Sequence, residues 1–403
     1  MFSGDDDMNT VSSIARGRRC TGCLACIQAC PVGCIGMQED LEGFQRPEIQ
    51  ENACIRCGKC LASCHVAQPG LLQVVLETRV LKSKNPTFFR LGSSGGIFGT
   101  LCDLLAKEGF VVYGAAFDEV FCLKCVRADD CDDRKPLLGS KYVQSNMMDA
   151  YKLVLDDIDN GRQVLFCGTP CQVAALIRFL GRRPGNLLTI DLVCHGVPSP
   201  AFWKIHLNYL RNKLGGEIRE VRFRRKTYSD KAGYALNVWT QNRHWVLSHK
   251  DDVYYSTFLE GVSLRECCYE CGYACRHRVG DLTIGDCGTL SSYRIFAKEG
   301  LGTIVLANSA KGGMALRLLE PFTIGMSLDF EKEVAANAQL RQPAARPQIR
   351  DFFYCDLREL PYDEFRKKYL RSVSCSERIK DFIKGCLPWR ILELCKRIKK
   401  SLI

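Results

Sequence analysis

The sequence predicts an α+β protein in which a small cysteine-rich domain precedes a larger mixed α/β core and a basic helical tail. Three observations lead to this prediction. The 403 residues exceed one ordinary domain, cysteines recur at one spacing near the N-terminus, and strand and helix signals alternate through the middle of the chain. We expect residues 1–13 to be disordered, residues 14–68 and 85–345 to form the two domains, and residues 346–403 to form the tail.

The composition limits the function. The chain is 46% hydrophobic and 25% charged, which is typical of a globular protein and excludes disordered and collagen-like chains. We expect no membrane span and no secretory signal, and therefore a cytoplasmic protein in which the high cysteine content (25 residues) points to metal ligands rather than to disulfides. Anionic metal clusters would offset much of the net charge of +11. Aromatic and basic residues do not interleave, so we expect no nucleic acid partner.

The first cysteine group is C-x2-C-x2-C-x3-C written twice, beginning at Cys20 and at Cys54. This repeat is typical of a ferredoxin-like domain with two 4Fe-4S clusters, in which each repeat gives three thiolates to one cube and the fourth to the other. A pair of zinc knuckles is the alternative, although zinc usually takes two C-x2-C pairs. The predicted ligands of the first cube are Cys20, Cys23, Cys26 and Cys64, and those of the second are Cys54, Cys57, Cys60 and Cys30.

Two residues in this region stand outside the repeat. His65 follows the last cysteine of the second repeat, where a proline usually stands, and we expect it to weaken the local turn. Cys34 has no place in the ligand pattern, and we interpret it as a small buried hydrophobic residue.

The second cysteine group lies in the middle of the chain. Residues 164–167 read as a buried strand, and Thr169 then caps a helix whose first turn holds Cys171, where the helix dipole stabilises a thiolate. Residues 187–194 read as another buried strand that carries Cys194 to its C-terminal end, the usual place for chemistry in an open α/β sheet. Either cysteine taken alone could equally be a packed core thiol.

The third cysteine group, at residues 267–275, contains a C-x2-C pair formed by Cys268 and Cys271. Such a pair is half of a metal site and needs two partners from elsewhere, so we expect a third 4Fe-4S cluster in the core, with zinc as the alternative. The neighbouring Cys267 and Cys275 leave the exact ligands open. The candidate ligands are Cys171, Cys194, Cys268 and Cys271.

Further strand and helix signals support a mixed core. The strand signals fall at residues 110–117, 217–225, 234–239 and 303–307, and the helical signals at 201–214 and 314–319. The loop at residues 93–96 is rich in serine and glycine and precedes a helix, which is weak evidence for phosphate binding. The sequence contains no Walker motif and no clean dinucleotide fingerprint.

The chain resembles a known family. It is similar to the beta subunit of coenzyme F-420-dependent hydrogenases and dehydrogenases, in the form with a ferredoxin domain fused in front, over residues 14–310. The motifs that carry the resemblance occur in order: Ser93-Ser94-Gly95-Gly96, Gly139-Ser140-Lys141-Tyr142, Gly168-Thr169-Pro170-Cys171-Gln172, Cys194-His195-Gly196-Val197-Pro198-Ser199, Phe223-Arg224, Cys268-x2-Cys271 and Asp281-Leu282-Thr283-Ile284-Gly285-Asp286.

The resemblance implies a flavin-binding core that holds FAD and its own 4Fe-4S cluster. Such a core exchanges hydride with a deazaflavin on one side and single electrons on the other. Lys141 could stabilise charge on the reduced flavin or be an ordinary surface lysine. The flavin-site candidates that it implies are Ser94, Gly95, Gly96, Lys141 and Tyr142.

No catalytic residue is assigned. His195 could shuttle a proton or be a structural turn residue, and Asp281 and Asp286 could be an acid–base pair or could cap a strand. Family members related to polysaccharide gene clusters usually follow the last aspartate with an aromatic pair and glycine. Here Cys287 and Gly288 follow it, which leaves the hydride partner open.

The sequence therefore predicts an iron–sulfur flavoprotein oxidoreductase. It would pass electrons between a hydride carrier (coenzyme F-420, another deazaflavin or a similar hydride carrier), FAD and 4Fe-4S clusters, and on to an electron-transfer partner protein. The alternatives are a non-catalytic relay subunit that docks a partner enzyme, with a link to polysaccharide biosynthesis, and a zinc-stabilised scaffold. The basic tail, with Leu387, Ile391 and Leu394 on one helical face, could make peripheral contact with a membrane, bind a partner subunit, or pack on its own core.

Overall fold

The computed structural model describes residues 10–224, 235–241, 243–293 and 301–371. The predicted apolar face of the tail lies outside these residues. The predicted disorder of residues 1–13 is wrong for residues 10–13, because Thr10, Val11 and Ser12 are buried and a helix begins at Ser12. No helix among the described residues is both long and apolar enough to cross a membrane.

The N-terminal domain is built from two short helical repeats around a hairpin. Each cysteine repeat forms a loop followed by a helix, so that α2 and α3 belong to the first and second repeats. Strands β1 and β2 pair as an antiparallel hairpin between them. The elements are α1 (Ser12–Arg16), α2 (Ala25–Ala29), β1 (Ile35–Glu39), β2 (Gln45–Ile49), a 3-10 turn (Glu51–Ala53) and α3 (Lys59–Ala62).

The core is centred on one eight-stranded mixed sheet, which confirms the predicted mixed α+β class. Its strands are β3 (Glu77–Ser83), β4 (Val111–Phe117), β5 (Leu123–Ala128), β6 (Val164–Gly168), β7 (Leu187–Leu192), β11 (Leu282–Asp286), β12 (Thr303–Ala307) and β13 (Thr323–Ser327). They stand in the order β13-β3-β12-β11-β7-β6-β4-β5. The predicted start of the core at residue 85 is too late, because β3 is an interior strand of this sheet.

The central strands place several chain ends at one edge of the sheet. Strands β4, β6, β7 and β11 run parallel, and β12 runs antiparallel to both β11 and β3. The carboxyl ends of β3, β4, β6, β7 and β11 therefore meet the start of β12 at the same edge. Ligands of open α/β sheets bind at such an edge.

Helices cover both faces of the large sheet. Helices α4 (Pro86–Leu91), α5 (Ile97–Lys107), α6 (Cys131–Arg134), α7 (Ala150–Asp159), α8 (Pro170–Leu180) and α11 (Ala310–Leu319) connect its strands. One hydrophobic cluster joins α5 and α11 to the sheet, and a second joins α7 and α8 to it. Alternate residues of β4 enter the two clusters, as expected for a strand buried on both faces.

A second unit packs beside the sheet around an aromatic core. It contains β8 (Ile218–Phe223), β9 (Ala235–Thr240), β10 (His244–Ser248), α9 (Pro200–Leu214), α10 (Val253–Leu259), α13 (Arg350–Glu359) and α14 (Tyr362–Tyr369), whereas α12 (Phe330–Ala336) packs against β3 and β12 of the large sheet. The boundary predicted at residue 346 is wrong, because Phe353 and Phe365 are fully buried in this core beside Phe202. The first part of the predicted tail is thus core structure.

The two domains share polar contacts that are specific to their surfaces. The Gln28 amide nitrogen in α2 donates to the Met147 carbonyl at 3.0 Å, and its oxygen accepts from the backbone N–H groups of Tyr151 and Lys152 at the start of α7. Gly43, at φ +76°, lies where a Cβ would stand 2.1 Å from the Cβ of Ala201 in α9. The N-terminal domain therefore completes the core rather than hanging from it.

Candidate iron–sulfur and flavin sites

The first predicted set of cluster ligands lines a single cavity in the N-terminal domain. The cavity is otherwise lined mainly by apolar side chains such as Val11, Ile14 and Pro47. The second repeat contributes its last cysteine to this cavity, as the crossed ligand pattern requires. The thiols that meet there are Cys20, Cys23, Cys26 and Cys64.

The second predicted set lines another cavity in the same domain. Its four thiols are Cys30, Cys54, Cys57 and Cys60. Cys34 also lines this cavity and is 3% exposed. Its sulfur lies 3.4 Å from that of Cys30. The interpretation of Cys34 as a mere hydrophobic residue therefore misses a fifth thiol at this site.

The donor sets of both cavities fit iron–sulfur cubes. Burial raises the pKa of the Cys23 thiol to about 12 and also raises those of Cys26, Cys60 and Cys64. These thiols keep their protons until iron displaces them, so cluster binding releases protons. In the described part of the chain, no three His, Cys, Asp or Glu side chains are placed to hold a single metal ion. A wider inorganic cluster suits thiols that line a cavity wall.

The core thiols lie at the carboxyl edge of the large sheet. Helix α8 begins as the sequence predicts, with Thr169 and Gln172 forming a reciprocal capping box and Pro170 in its first turn. This cap fixes Cys171 in the first turn, with its sulfur 3.1 Å from the Thr169 hydroxyl. Cys194 comes two residues after the end of β7.

The electrostatics show which core thiols are neighbours. Burial, then the thiols of Cys271 and Cys267, raise the pKa of Cys171. Burial, then the thiols of Cys171 and Cys271, raise the pKa of Cys194 to about 12. Three of the four predicted core ligands are therefore close together.

The fourth core position is shared by two adjacent thiols. A hydrogen bond with Cys268 is the largest cause that raises the pKa of Cys267, so the two thiols are in contact. Cys267 is an electrostatic neighbour of Cys171, whereas Cys268 packs partly against the aromatic core. Either could complete the set. Cys275 instead donates to backbone carbonyls, at 3.2 Å to His277.

A hydrogen-bonded bridge joins the core thiols to the first cavity. The Tyr273 hydroxyl lies 2.8 Å from His65 Nδ1, and His65 Nε2 lies 3.0 Å from the Thr21 hydroxyl. Burial, then the thiols of Cys171 and Cys23, raise the pKa of Tyr273. Sequence reasoning missed this role of His65. Its position after Cys64, in place of the usual proline, is the available signal.

The serine–glycine loop meets the start of α5 at the same edge of the sheet. The Ser94 hydroxyl donates to the Gly302 carbonyl at 2.7 Å, and the Gly95 N–H donates to the Thr303 hydroxyl at 2.7 Å. A Cβ on Gly95 would lie 2.3 Å from the Leu81 carbonyl oxygen. Packing against β3 and β12 thus requires this glycine. No side chain caps the first turn of α5, which begins after Gly96 at φ +78°.

The second predicted flavin segment lies beside this loop. The Ser140 N–H donates to the Ser93 hydroxyl at 2.7 Å. Lys141 Nζ donates to three carbonyls of its own turn, those of Leu137, Leu138 and Gly139. Burial, with the charge of Arg222 adding to it, lowers the pKa of Lys141 to about 7.

An aromatic and charged cluster adjoins these segments. The Tyr142 ring stacks on Phe258 at 4.4 Å between centroids, and its hydroxyl accepts from Arg224 at 3.4 Å. Arg224 also pairs with Asp286 at the end of β11. An aromatic ring beside a guanidinium and uncapped helix amides fits a ligand that carries both a ring and phosphate.

The remaining candidates for acid–base chemistry have structural partners. His195 has partners at both ring nitrogens, the Phe258 carbonyl at 3.1 Å and the Gln339 amide at 3.2 Å. Asp281 accepts from the Thr189 N–H and hydroxyl. Asp281 and Asp286 stand at opposite ends of β11, about 16 Å apart at the usual strand rise. The two aspartates therefore do not form a pair.

Comparison with known proteins finds family models that match two separate segments of the chain. Residues 19–67 match the model of the 4Fe-4S dicluster domain. Residues 161–320 match the model for the C terminus of the beta subunit of coenzyme F-420 hydrogenase/dehydrogenase. Residues 161–320 of the core are thus similar to the C-terminal part of these beta subunits. Together with the two cysteine-lined cavities, these matches identify an electron-transfer protein of the oxidoreductase class.

The family match has defined limits. The matched core range begins after the flavin candidates at residues 94–96, 141 and 142. Among solved structures, a chain of the F-420-reducing NiFe hydrogenase complex from Methanosarcina barkeri is 17% identical. That match covers 66% of this chain and 91% of the other, with a TM-score of 0.43. No curated protein matches the sequence.

Proposed function

We propose that the protein is an iron–sulfur flavoprotein oxidoreductase with two 4Fe-4S clusters in its N-terminal domain and a third in its core. The single observation that carries this proposal is the continuity of the three thiol sites. Cys23 in the first cavity is an electrostatic neighbour of Cys171 in the core, and Tyr273 and His65 bridge the same gap. Electrons could therefore pass along the sites without leaving the protein.

The core cluster would be held at the carboxyl edge of the sheet. Cys171, Cys194 and Cys271 supply three thiolates, and Cys267 or Cys268 supplies the fourth. The loop that carries Cys267, Cys268 and Cys271 is anchored by Arg278. The Arg278 guanidinium donates to Asp191, near the end of β7, at 3.0 Å. This anchor fixes the distance between the two halves of the thiol set.

FAD would occupy the same edge of the sheet, between the loop at residues 93–96 and the Tyr142 ring. When bound, it supplies the conversion between two-electron hydride chemistry and the one-electron steps that a cube allows. The uncapped amides of α5 and the Arg224 side chain would bind phosphate, and the Tyr142 side chain would contact a ring. Lys141 would give up contacts with its own turn to meet negative charge.

The proposed substrates follow from this cofactor set. The hydride carrier would be coenzyme F-420 or a similar deazaflavin, and the electron acceptor or donor would be a separate protein that approaches the second cavity. Cys57, which lines that cavity, is exposed, so the second cluster is the one nearest to solvent. A cytoplasmic location is part of the same proposal.

A relay subunit without flavin is the second candidate. The Gly95 N–H and the Lys141 ammonium group already donate hydrogen bonds within the protein, and this favours the relay subunit. In that case the clusters would serve a docked partner enzyme. A link to polysaccharide biosynthesis belongs to this alternative, but Cys287 and Gly288 after β11 depart from the pattern of the family members related to polysaccharide gene clusters.

Anaerobic purification with analysis of iron and flavin tests the proposal. We expect about twelve iron atoms per chain, in three four-iron clusters, and one FAD that a reduced deazaflavin bleaches. Iron without flavin would support the relay subunit, and a colourless protein with zinc would refute both.

Separate replacement of the adjacent core thiols tests the third cluster. Either Cys267→Ala or Cys268→Ala should remove about four iron atoms while the spectra of the N-terminal clusters persist. Cys275→Ala is the matched control and should keep all iron, because its thiol donates to carbonyls. Full iron in both test variants and in their double variant would exclude this site.

A further inference from the structure

Among the residues that the structure describes, three arginine side chains are almost completely buried, and their partners differ. Arg278 pairs with Asp191 at 3.0 Å, and Arg350 pairs with Glu42 at 2.6 Å. Arg265 is only 1% exposed and forms no ion pair with a carboxylate among the described residues. Because a guanidinium does not lose its proton in proteins, its buried charge requires an anion from another source.

The Arg265 side chain lies against the ligand loop of the first cavity. Its Nε donates to the Cys20 carbonyl at 2.8 Å, and Nη1 donates to the Gln144 side-chain oxygen at 3.0 Å. A Cβ on Gly22 would lie 2.8 Å from Nη1, which shows how closely the loop approaches. The buried Nη2 has no hydrogen-bond partner in the described structure.

Arg265 also adjoins the core thiols, because Cys267 follows it by two residues and the Cys268 N–H donates to the Arg265 carbonyl at 2.9 Å. Burial acts to lower the pKa of Arg265, but the groups around it, led by Cys20 and Cys267, raise it. Asp40 also contributes, yet Asp40 already pairs with Arg46 at 2.5 Å. The anions available to Arg265 are therefore the thiolates of two cluster sites, one in each domain.

We propose that Arg265 is the counter-cation shared by the first cluster of the N-terminal domain and the core cluster, and that it raises the reduction potentials of both. This inference rests on the proposed function for the core cluster. A cube with four thiolates is anionic and gains a further negative charge on reduction, so a fixed cation in low dielectric favours the reduced form. Arg265 thus holds a fixed positive charge at the boundary between the two domains.

The test is an EPR-monitored redox titration of the full-length Arg265→Gln variant. The potential of the first cluster should fall so that the equilibrium constant for its reduction drops at least tenfold, which is 59 mV for one electron. The second cluster, held by Cys30 and Cys54 among others, should shift less. Arg350→Gln is the matched control, because it is equally buried at the same boundary but paired with Glu42, and it should leave both potentials unchanged.

A second variant separates charge from shape. Arg265→Lys keeps the positive charge but loses the planar guanidinium, and we expect it to retain its iron and a potential close to that of the wild type. Full iron with an unchanged first-cluster potential in Arg265→Gln would overturn the inference. If Arg265→Gln binds no iron, loss of iron in Arg265→Lys as well would overturn it. The shift at the first cluster is measurable even if the core holds no cluster, so failure of the proposed function is distinguishable.

Discussion

Replacement of Arg278 by methionine should detach the core cysteine loop from the sheet. The Arg278 side chain uses all of its donors within this region. Nη1 donates to the carbonyls of Tyr273 and Cys275, and Nη2 donates to Asp191 and to the Leu192 carbonyl. The loop that precedes Arg278 and the strand that leads to Cys194 are therefore held together by one side chain.

The expected cost follows from the burial of both partners. Arg278 is 1% exposed and Asp191 is 0% exposed. Removal of one member of a buried ion pair typically costs about 3–5 kcal/mol, because the remaining charge stays in a medium of low dielectric. Asp191 would keep the N–H groups of Val279 and Gly280 as donors, which places the expected loss near the lower end of that range.

Urea unfolding and iron analysis of the purified variant measure this effect. Arg278→Met should lower the free energy of unfolding by about 3 kcal/mol and release the core iron, while the N-terminal clusters remain. The double variant with Asp191→Asn should recover part of the stability, since no buried charge is left unpaired. A loss below about 1 kcal/mol with full iron content would refute the role given to this pair.

Three further predictions concern other side chains of the sites. The Cys30→Ala variant should keep the second cluster of the N-terminal domain. The Cys34 sulfur lies 3.4 Å from the Cys30 sulfur and can bind iron in its place. Loss of that EPR signal in the single variant would contradict this, whereas the double variant with Cys34→Ala should lose it. Burial lowers the pKa of Lys141 to about 7, so between pH 7 and 10 the unfolded chain binds one more proton than the folded chain. The difference in unfolding free energy between the wild type and Lys141→Met should therefore rise with pH in this window, by at most about 1.4 kcal/mol per pH unit. Urea titrations of both proteins at pH 7 and at pH 9 measure this difference. An equal difference at the two pH values would contradict the prediction. Tyr273→Phe should cost about 1–3 kcal/mol in urea unfolding, because a ring nitrogen of buried His65 loses its partner, and an unchanged midpoint would show that the bridge is not needed.

The features that the sequence predicts best are those set by local spacing. Ligand loops close over a few residues, so spacing alone assigns the eight N-terminal cysteines to their two cavities. The cap of α8 is equally local, since Thr169, Pro170 and Gln172 define it within one turn. The ligand set of the proposed core cluster is predictable only to three thiols, because Cys267 and Cys268 are adjacent and spacing does not distinguish them.

The features that the sequence does not predict depend on distant contacts. Arg265 and Cys20 lie 245 positions apart, and only the assembled domains show that the guanidinium is buried without a carboxylate. Pro343 and Pro347 favour a boundary near residue 346, but the helices that follow it belong to the core. Their aromatic residues, Phe353 and Phe365, reach that core through packing that composition does not reveal.

The contact between Gln28 and α7 has a consequence for how the two halves of this protein can change. Gln28 sits inside the first cysteine repeat, yet it supplies the hydrogen-bond acceptor that the first turn of a core helix lacks. A ferredoxin domain taken from another protein would leave these backbone N–H groups without an acceptor, unless it carried an amide side chain at the same position. Substitutions at the two surfaces must therefore be inherited together, and a domain exchange between relatives would require both sides to be redesigned as one unit.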